Sequence, residues 1–145
     1  MASLFGSKKA NDTPDEAFPV SHPESEWKAK LSPDQFHVLR QHGTERPGSS
    51  QLNFEKRTGL FSCAACGQAL FTSDTKYESG SGWPSFFKPI EGAVDTTVDR
   101  SLGMVRTEAH CSQCGGHLGH VFPDGPEPTG ERYCMNGLSL AFQPD

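Results

Sequence analysis

The sequence predicts a mainly β domain behind a short helical N-terminal segment, held together by a zinc site of four cysteines. Three observations predict this fold. The 145 residues include 15 glycines and 11 prolines, which is more than a helical bundle carries. Short apolar stretches alternate with turn residues at close intervals, as in antiparallel strands. Two Cys-x-x-Cys-Gly motifs supply the ligands for a metal that would join distant hairpins.

Composition and charge exclude several classes of partner. The formal net charge is −5 and the pI is about 5.6, so the chain offers no basic surface to nucleic acid. No window approaches 18 consecutive apolar residues, and the first residues lack the apolar core of a signal peptide. We therefore expect a cytoplasmic protein that binds neither nucleic acid nor membrane.

The chain divides into a tail and one domain. Residues 1–23 contain few apolar side chains, so burial cannot repay the entropy of ordering them, and we expect a flexible tail. Residues 24–145 form a single domain. Its short apolar segments predict strands at about 60–63, 69–71, 93–98, 104–109, 117–122, 133–135 and 138–142. The third and fourth of these would form an antiparallel hairpin.

One helix is predicted from its start and stop signals. Ser32 provides an N-cap, Pro33 suits the first helical position, and Gln35 completes a capping box. The helix should run from Pro33 to about His42 and stop at Gly43, which suits the C-cap position.

Four of the five cysteines have the spacing of metal ligands. Cys63 and Cys66 form one Cys-x-x-Cys pair, and Cys111 and Cys114 form the other. Four thiolates are the ligand set that tetrahedral Zn²⁺ prefers. The alternative is a pair of redox-active or disulfide-forming motifs, but a thioredoxin-like motif opens a helix, and neither glycine-followed pair is expected to do so. We predict one structural Zn²⁺ per chain, with no open position for a substrate.

The fifth cysteine, Cys134, lies in a short predicted strand. Arg132 and Asn136 are each two residues away, so all three side chains point to the same face. The cation would favour the thiolate, and the amide can donate to a bound ligand. Cys134 is therefore a candidate nucleophile. The alternative is a small buried apolar residue, which is the commoner role of a lone cysteine.

Two histidines offer acid–base chemistry. His117 and His120 would lie beside a lone cysteine, and histidine moves protons most readily near neutral pH. Residues three apart on a regular strand face opposite ways, so a shared pocket needs a bulge or turn, which Gly119 can provide. Otherwise, one histidine is structural and the other is exposed.

An aromatic residue follows a loop of serines and glycines. Trp83 lies between Gly82 and Pro84, a context that suits a rigid loop presenting an aromatic wall. A methyl group could pack against this wall. The alternative places Trp83 in the core.

Taken together, these residues closely resemble the methionine-R-sulfoxide reductases, the B-class enzymes that repair oxidised methionine. The resemblance implies two small antiparallel sheets with zinc at one end, away from the active site. It also implies the activity of a peptide-methionine (R)-S-oxide reductase, an oxidoreductase that counters oxidative stress. The matching motifs are Cys63-x-x-Cys66, Gly82 to Phe86, Cys111-x-x-Cys114, His117 to Phe122 and Arg132 to Asn136.

The resemblance assigns a role to each candidate residue. Cys134 attacks the sulfoxide sulfur and becomes a sulfenic acid, while a histidine of the His117/His120 pair helps protonate the departing oxygen. Trp83 holds the terminal methyl of the substrate. Arg132 supports the thiolate, and Asn136 helps to position the substrate.

The chain departs from many family members at one position. They carry a resolving cysteine between the two glycines that precede the Trp-Pro pair, and this chain has Ser81 there. No cysteine then remains to reduce the sulfenic acid internally. We expect a one-cysteine, monomeric enzyme that acts on peptide-bound and free methionine-R-sulfoxide. Its reductant would be an external thiol: thioredoxin, glutathione or a glutaredoxin.

Two other functions are compatible with parts of the pattern. A zinc-stapled partner-binding module without catalysis would leave the row of Arg132, Cys134 and Asn136 unexplained. A hydrolase would use His117, His120 and Cys134 as ligands of a second, catalytic metal.

Overall fold

The computed structural model describes residues 18–145 and has two antiparallel sheets behind two short helices, which confirms the predicted fold class. The helices are α1 (Glu24–Lys30) and α2 (Pro33–Gln41). The strands are β1 (Gly59–Cys63), β2 (Ala69–Thr72), β3 (Lys76–Tyr77), β4 (Ser85–Phe86), β5 (Val94–Asp99), β6 (Arg106–Cys111), β7 (His117–Phe122), β8 (Arg132–Met135) and β9 (Leu140–Pro144). One sheet has the strand order β2-β1-β9 and the other β3-β4-β8-β7-β6-β5.

Helix α2 has the capping box predicted from the sequence. The Gln35 N–H donates to Ser32 Oγ at 3.1 Å, and the Ser32 N–H donates to Gln35 Oε1 at 3.0 Å. The helix end differs in detail, because His42 rather than Gly43 takes the left-handed conformation, with φ of 57°. Glycine is required at position 43 for space rather than for its conformation, since a Cβ there would lie 2.4 Å from the His37 ring.

Helix α1 was not predicted. It has seven residues, and Pro23 at its N-cap makes no capping hydrogen bond, so the strongest start signal is missing and only the acidic residues of its first turn, Glu24 and Glu26, favour a helix. Helix α1 is stabilised mainly by packing against the rest of the domain. Trp27 is buried in the core, and the Arg40 guanidinium of α2 lies 4.6 Å from the centre of its ring.

The predicted hairpin is formed by β5 and β6, which pair from Val94 opposite Cys111 to Asp99 opposite Arg106. Strand β5 is shifted by one residue and β6 by two from the expected ranges, and β6 starts late because a 3₁₀ turn, Ser101–Gly103, and the residues beside it form the connection. The hairpin joins two regions of interest. Its open end carries Cys111, and its closed end carries Arg106.

Aromatic packing joins the two sheets. The Phe86 ring of β4 stacks on Phe71 of β2 at 4.1 Å and meets the edge of Phe61 of β1 at 5.0 Å between ring centres. All three rings are fully buried. Such contacts supply most of the packing energy of a domain of this size.

The predicted tail lies mostly outside the described residues, so the domain boundary at residue 24 stays a prediction. Its last part, residues 18–23, contacts the domain. The Val20 N–H donates to the Gln113 carbonyl at 2.8 Å, and the Phe18 ring meets the edge of His110. Within residues 18–145, no helix has the length and apolar character needed to cross a membrane.

Candidate active site and metal centre

The fold brings the four cysteines of the two Cys-x-x-Cys motifs into one cluster. Their Sγ atoms all lie within 4.8 Å of one another. Cys63 and Cys114 are 3.7 Å apart, and Cys66 and Cys111 are 3.6 Å apart. Sulfurs around a tetrahedral Zn²⁺ with bonds of about 2.3 Å would be about 3.8 Å apart. The cluster therefore has the dimensions of a metal site, and none of these cysteines forms a disulfide.

Hydrogen-bond donors surround the sulfurs of this cluster. Side-chain amides of Gln68 and Gln113 approach Cys111 and Cys66 at 3.5 and 3.4 Å. The Gly116 N–H and the Arg40 guanidinium point to Cys114 at 3.4 and 3.8 Å. Donors and a cation stabilise thiolates rather than neutral thiols. The environment thus fits four metal-bound thiolates.

A cavity of about 240 Å³ lies at the other end of β6. It is smaller than the pockets that hold drug-sized ligands and suits a single side chain. Five of the candidate residues predicted from the sequence line it: Trp83, His120, Arg132, Cys134 and Asn136. Its wall also includes Thr44, Ser81, Arg106, Gly119 and Phe122.

The bulge needed to bring the two histidines together is present in β7. Ala109 and His110 of β6 pair with Gly119 and His117, so Leu118 is an extra residue on β7. The rings of His117 and His120 consequently meet edge to face, with 5.5 Å between their centres. The two histidines lie together, although His117 is buried behind the residues that line the cavity.

Cys134 lies at the centre of the six-stranded sheet, opposite His120 of β7 and Ser85 of β4. Gly119 permits this close pairing, because a Cβ there would lie 2.1 Å from the Cys134 carbonyl oxygen. Burial raises the pKa of the Cys134 thiol, while the Ser81 hydroxyl and the Arg132 charge act in the opposite direction. Neutral thiol is therefore favoured until a ligand or proton acceptor arrives.

Arg132 is fixed by two neighbours. Its guanidinium donates to both carboxylate oxygens of Asp124, at 2.9 and 3.2 Å, and lies 4.4 Å from the centre of the Phe122 ring. The pair lowers the pKa of Asp124 and raises that of Arg132. Asp124 also opposes part of the cation's effect on the thiol of Cys134.

His117 is held by a carboxylate that the sequence analysis did not identify. Its Nδ1 lies 2.7 Å from Glu108 Oε2, and the Thr97 hydroxyl donates to Oε1 of the same carboxylate at 3.2 Å. Burial raises the pKa of Glu108, but the hydrogen bonds from His117 and Thr97 and the attraction to the two neighbouring histidines, His117 and His42, together lower it. The ionised carboxylate can accept a hydrogen bond from Nδ1–H. The second ring nitrogen of His117, Nε2, is buried without a hydrogen-bond partner among the described residues.

His120 has a carboxylate partner of its own. Its Nε2 lies 2.8 Å from Asp99 Oδ2, and Arg106 approaches the same oxygen at 3.3 Å. Burial lowers the pKa of His120 despite this hydrogen bond, and the hydrogen bond from His120 holds the pKa of Asp99 well below its usual range. A strand pattern alone would have assigned Asp99 to the solvent face. Its position at the end of the hairpin instead brings it into contact with His120 and Arg106, which both line the cavity.

Glu45 connects two walls of the cavity. Its carbonyl accepts from Trp83 Nε1–H at 3.0 Å, and its N–H donates to Asn136 Oδ1 at 2.9 Å. The carboxylate is buried and accepts from the Leu138 N–H at 2.9 Å. The Asn136 amide also donates to the Leu118 carbonyl at 3.1 Å. The sequence carries no signal for this role, because two of the three contacts use the main chain.

The described residues hold two groups that could ligate a metal ion. One is the cysteine cluster, and the other consists of His42, Glu108 and His117. The set of His117, His120 and Cys134, which the hydrolase alternative requires, is not such a group among residues 18–145.

Comparison with known proteins identifies one domain family and several relatives that cover most of the chain. The SelR domain model matches residues 31–144. Curated peptide methionine sulfoxide reductases MsrB are similar over most of their length. The protein from Agrobacterium fabrum is 54% identical over 86% of this chain and 93% of its own. That from Methanosarcina barkeri is 58% identical over 86% and 88%, and that from Leptospira interrogans is 56% identical over 87% and 97%.

Among solved structures, the Mis18 "Yippee-like" domain aligns with 60% of this chain and 96% of that chain, with a TM-score of 0.49 at 21% identity. This likeness is too weak to bear on function. The SelR match and the MsrB relatives each cover most of the chain. The chain belongs to the SelR domain family, together with these methionine sulfoxide reductases.

Proposed function

We propose that this protein is a peptide-methionine (R)-S-oxide reductase that repairs oxidised methionine with electrons from thiols. The observation that carries the proposal is the position of Cys134, the one cysteine outside the metal cluster, in a cavity beside Trp83 and His120. Its family relatives are named methionine sulfoxide reductases. A partner-binding module would need no thiol in such a cavity.

The substrate side chain fits the cavity in one orientation. The Trp83 indole is fixed by its hydrogen bond to Glu45 and forms an apolar wall for the terminal methyl group. The sulfoxide oxygen would then lie toward the histidine side of the cavity, and Asn136 would contact the substrate from β8. Such a placement discriminates between the two epimers, because they exchange the methyl and oxygen positions, and the kinship with the MsrB proteins indicates that the R epimer is the substrate.

The chemical step transfers one oxygen atom. The Cys134 sulfur attacks the sulfoxide sulfur, the sulfur–oxygen bond of the substrate breaks, and the oxygen ends on Cys134 as a sulfenic acid. Methionine leaves as the reduced product. Cys134 must lose its proton and the oxygen must gain one, and the histidine pair carries these protons. Arg132 favours the thiolate at the moment of attack.

Regeneration requires two external thiols. The first thiol attacks the sulfenic acid, releases water and forms a mixed disulfide with Cys134. The second releases Cys134 as a thiol and leaves with the first as a disulfide. Ser81, whose hydroxyl lies 3.9 Å from the Cys134 sulfur, has no thiol and cannot perform the first step. Thioredoxin, glutathione or a glutaredoxin would supply these electrons.

The cysteine cluster would hold one Zn²⁺ with a structural role. Zn²⁺ bound there would join β1 to the β6–β7 turn and stabilise the fold. The chemistry occurs elsewhere. Five residue steps of antiparallel strand, about 17 Å, separate Cys111 in the cluster from Arg106 at the cavity. The four cysteines would take all four positions around the ion, which would leave none open to substrate.

We further propose that the protein acts as a cytoplasmic monomer. None of the five cysteines forms a disulfide, as expected in a reducing compartment. Cys134, Trp83 and His120 come together within a single chain, so the cavity needs no second copy to complete it.

Turnover of the separated R and S epimers of methionine sulfoxide tests the function. With dithiothreitol as the reductant, the zinc-loaded wild type should reduce the R epimer and leave the S epimer. The Cys134→Ser variant should reduce neither. A folded, zinc-loaded wild type that reduces neither epimer would overturn the proposal and favour the partner-binding module.

A further inference from the structure

Three potential metal ligands meet behind the cavity, apart from the cysteine cluster. His117 Nδ1 lies 2.7 Å and His42 Nδ1 lies 3.3 Å from the same oxygen, Glu108 Oε2. All three donor atoms fall within 4.8 Å of one another. Around an ion with bonds of about 2.0 Å, tetrahedral ligands are about 3.3 Å apart. Two imidazoles and a carboxylate are ligands that first-row divalent metals accept.

The buried part of this site is already ordered. The side chains of His117 and Glu108 are only 3% and 12% exposed, and the Thr97 hydroxyl holds the second oxygen of the carboxylate. This contact turns Oε2 toward both histidines. Thr97 therefore acts as the outer neighbour that metal-ligating carboxylates usually have.

The third ligand is presented by an unusual backbone. His42 is the C-cap of α2 and has a φ of 57°, a conformation that costs energy in residues other than glycine and asparagine. This conformation stacks its ring on that of His117, with 5.2 Å between centres and 29° between planes. The His42 side chain is 68% exposed, so an ion and a water ligand can reach the site from solvent.

We propose that His42, Glu108 and His117 form a second metal site, which binds a divalent transition metal such as Ni²⁺ or Zn²⁺ and thereby inhibits the enzyme. On binding, the ion takes the place of the proton on His117 Nδ1, and the neutral ring then carries its single proton on Nε2. This Nε2 proton of the metal-bound ring is held far more tightly than that of an imidazolium ion, and Nε2 can no longer accept a proton. His117 then ceases to carry protons for the cavity.

The inhibition rests on the proposed function, whereas binding does not. Binding is therefore measured separately, by equilibrium dialysis of untagged protein against Ni²⁺ with elemental analysis of both nickel and zinc. A Cys134→Ser background removes the thiol as a competing ligand. We expect one Ni²⁺ per chain in addition to the zinc of the cysteine cluster.

The variant that tests the site is His42→Asn, since asparagine tolerates the left-handed conformation and should preserve the helix end. It should weaken Ni²⁺ binding at least tenfold. The control is His37→Ala, which removes an exposed histidine from the same helix and should leave binding unchanged. Equal binding by the His42→Asn and parent proteins, or no saturable nickel, would overturn the proposed site.

Inhibition is measured with Cys134 present. Ni²⁺ should inhibit the wild type, and His42→Asn should raise the half-inhibitory concentration at least tenfold while keeping the activity of the zinc-loaded, nickel-free enzyme. If the variant loses the bound nickel but remains equally sensitive, the inhibitory role is wrong. If the zinc-loaded, nickel-free wild type has no activity, the proposed function fails, and the dialysis result still decides the metal site.

Discussion

The Ser81 hydroxyl lies 3.9 Å from the Cys134 sulfur, within the range of a weak hydrogen bond to sulfur. The same hydroxyl is held by Ser79 at 2.8 Å, so the loop presents position 81 directly to the nucleophile. A thiol at this position would be placed to attack a sulfenic acid on Cys134.

The Ser81→Cys variant should therefore become a two-cysteine enzyme. After reaction with methionine-R-sulfoxide in the absence of reductant, its intact mass should be lower by two hydrogens, because a disulfide joins residues 81 and 134. Peptide mapping of the disulfide checks this. Ser81→Ala is the control and should retain an oxygen on Cys134. An unbridged Ser81→Cys product would show that the loop cannot bring the two sulfurs together.

Loss of one ligand from the cysteine cluster should destabilise the whole domain. Structural zinc sites contribute about 10 kcal/mol or more to folding. We expect Cys63→Ser to lower the thermal unfolding midpoint strongly, or to prevent folding, and to lose zinc on metal analysis. Ser62→Ala, a substitution at the neighbouring residue of β1, provides the control. A Cys63→Ser protein that folds as well as the wild type would rule out a structural metal.

Glu108→Gln should change stability in a pH-dependent manner. The pKa of Glu108 in the folded protein is lowered from its ordinary value of 4.5, so its contribution is present above pH 4.5 and is lost as the pH falls below this value. At neutral pH the variant should be less stable by about 1–3 kcal/mol, because the buried His117 loses a charged partner. Denaturant unfolding from pH 7 to pH 3 measures the difference. The difference in unfolding free energy between the wild type and Glu108→Gln should become smaller as the pH falls. A difference that stays constant from pH 7 to pH 3 would contradict the stabilising role of the Glu108 carboxylate.

Substitution of Glu45 tests whether this residue positions Trp83 and Asn136 on the two walls of the cavity. In Glu45→Ala the Leu138 N–H loses its acceptor, and the main-chain contacts to Trp83 and Asn136 lose their support. We expect a higher KM for methionine-R-sulfoxide and a stability loss of about 1–3 kcal/mol. Glu45→Gln keeps an acceptor oxygen and should restore much of both. If Glu45→Ala loses stability with an unchanged KM, the residue is structural only.

Local chemistry explains why so much of the fold could be predicted. The capping box of Ser32 and Gln35 is a contact within one helical turn, and the two Cys-x-x-Cys-Gly turns are likewise local. Gly67 and Gly115, which follow these pairs, both take positive φ, at 85° and 76°. Short-range signals therefore predicted one helix, most strands and the ligand set.

The parts that were missed depend on contacts between distant segments. Asp99 and Glu108 meet the histidines only because β5, β6 and β7 pair in a particular register, which includes the extra residue in β7. Glu45 reaches the cavity through its main chain, which no side-chain pattern encodes. Helix α1 depends on the burial of Trp27 against α2 rather than on its own capping.

In the proposed reaction Cys134 accepts the sulfoxide oxygen, and no second protein thiol reacts with the resulting sulfenic acid. A single-turnover reaction tests both steps. The reduced, zinc-loaded protein is mixed with excess methionine-R-sulfoxide without any reductant, and methionine and the intact protein mass are measured together. We expect one methionine per chain and one added oxygen, located at Cys134. A disulfide that includes Cys134, or methionine formed by the Cys134→Ser variant, would contradict the account.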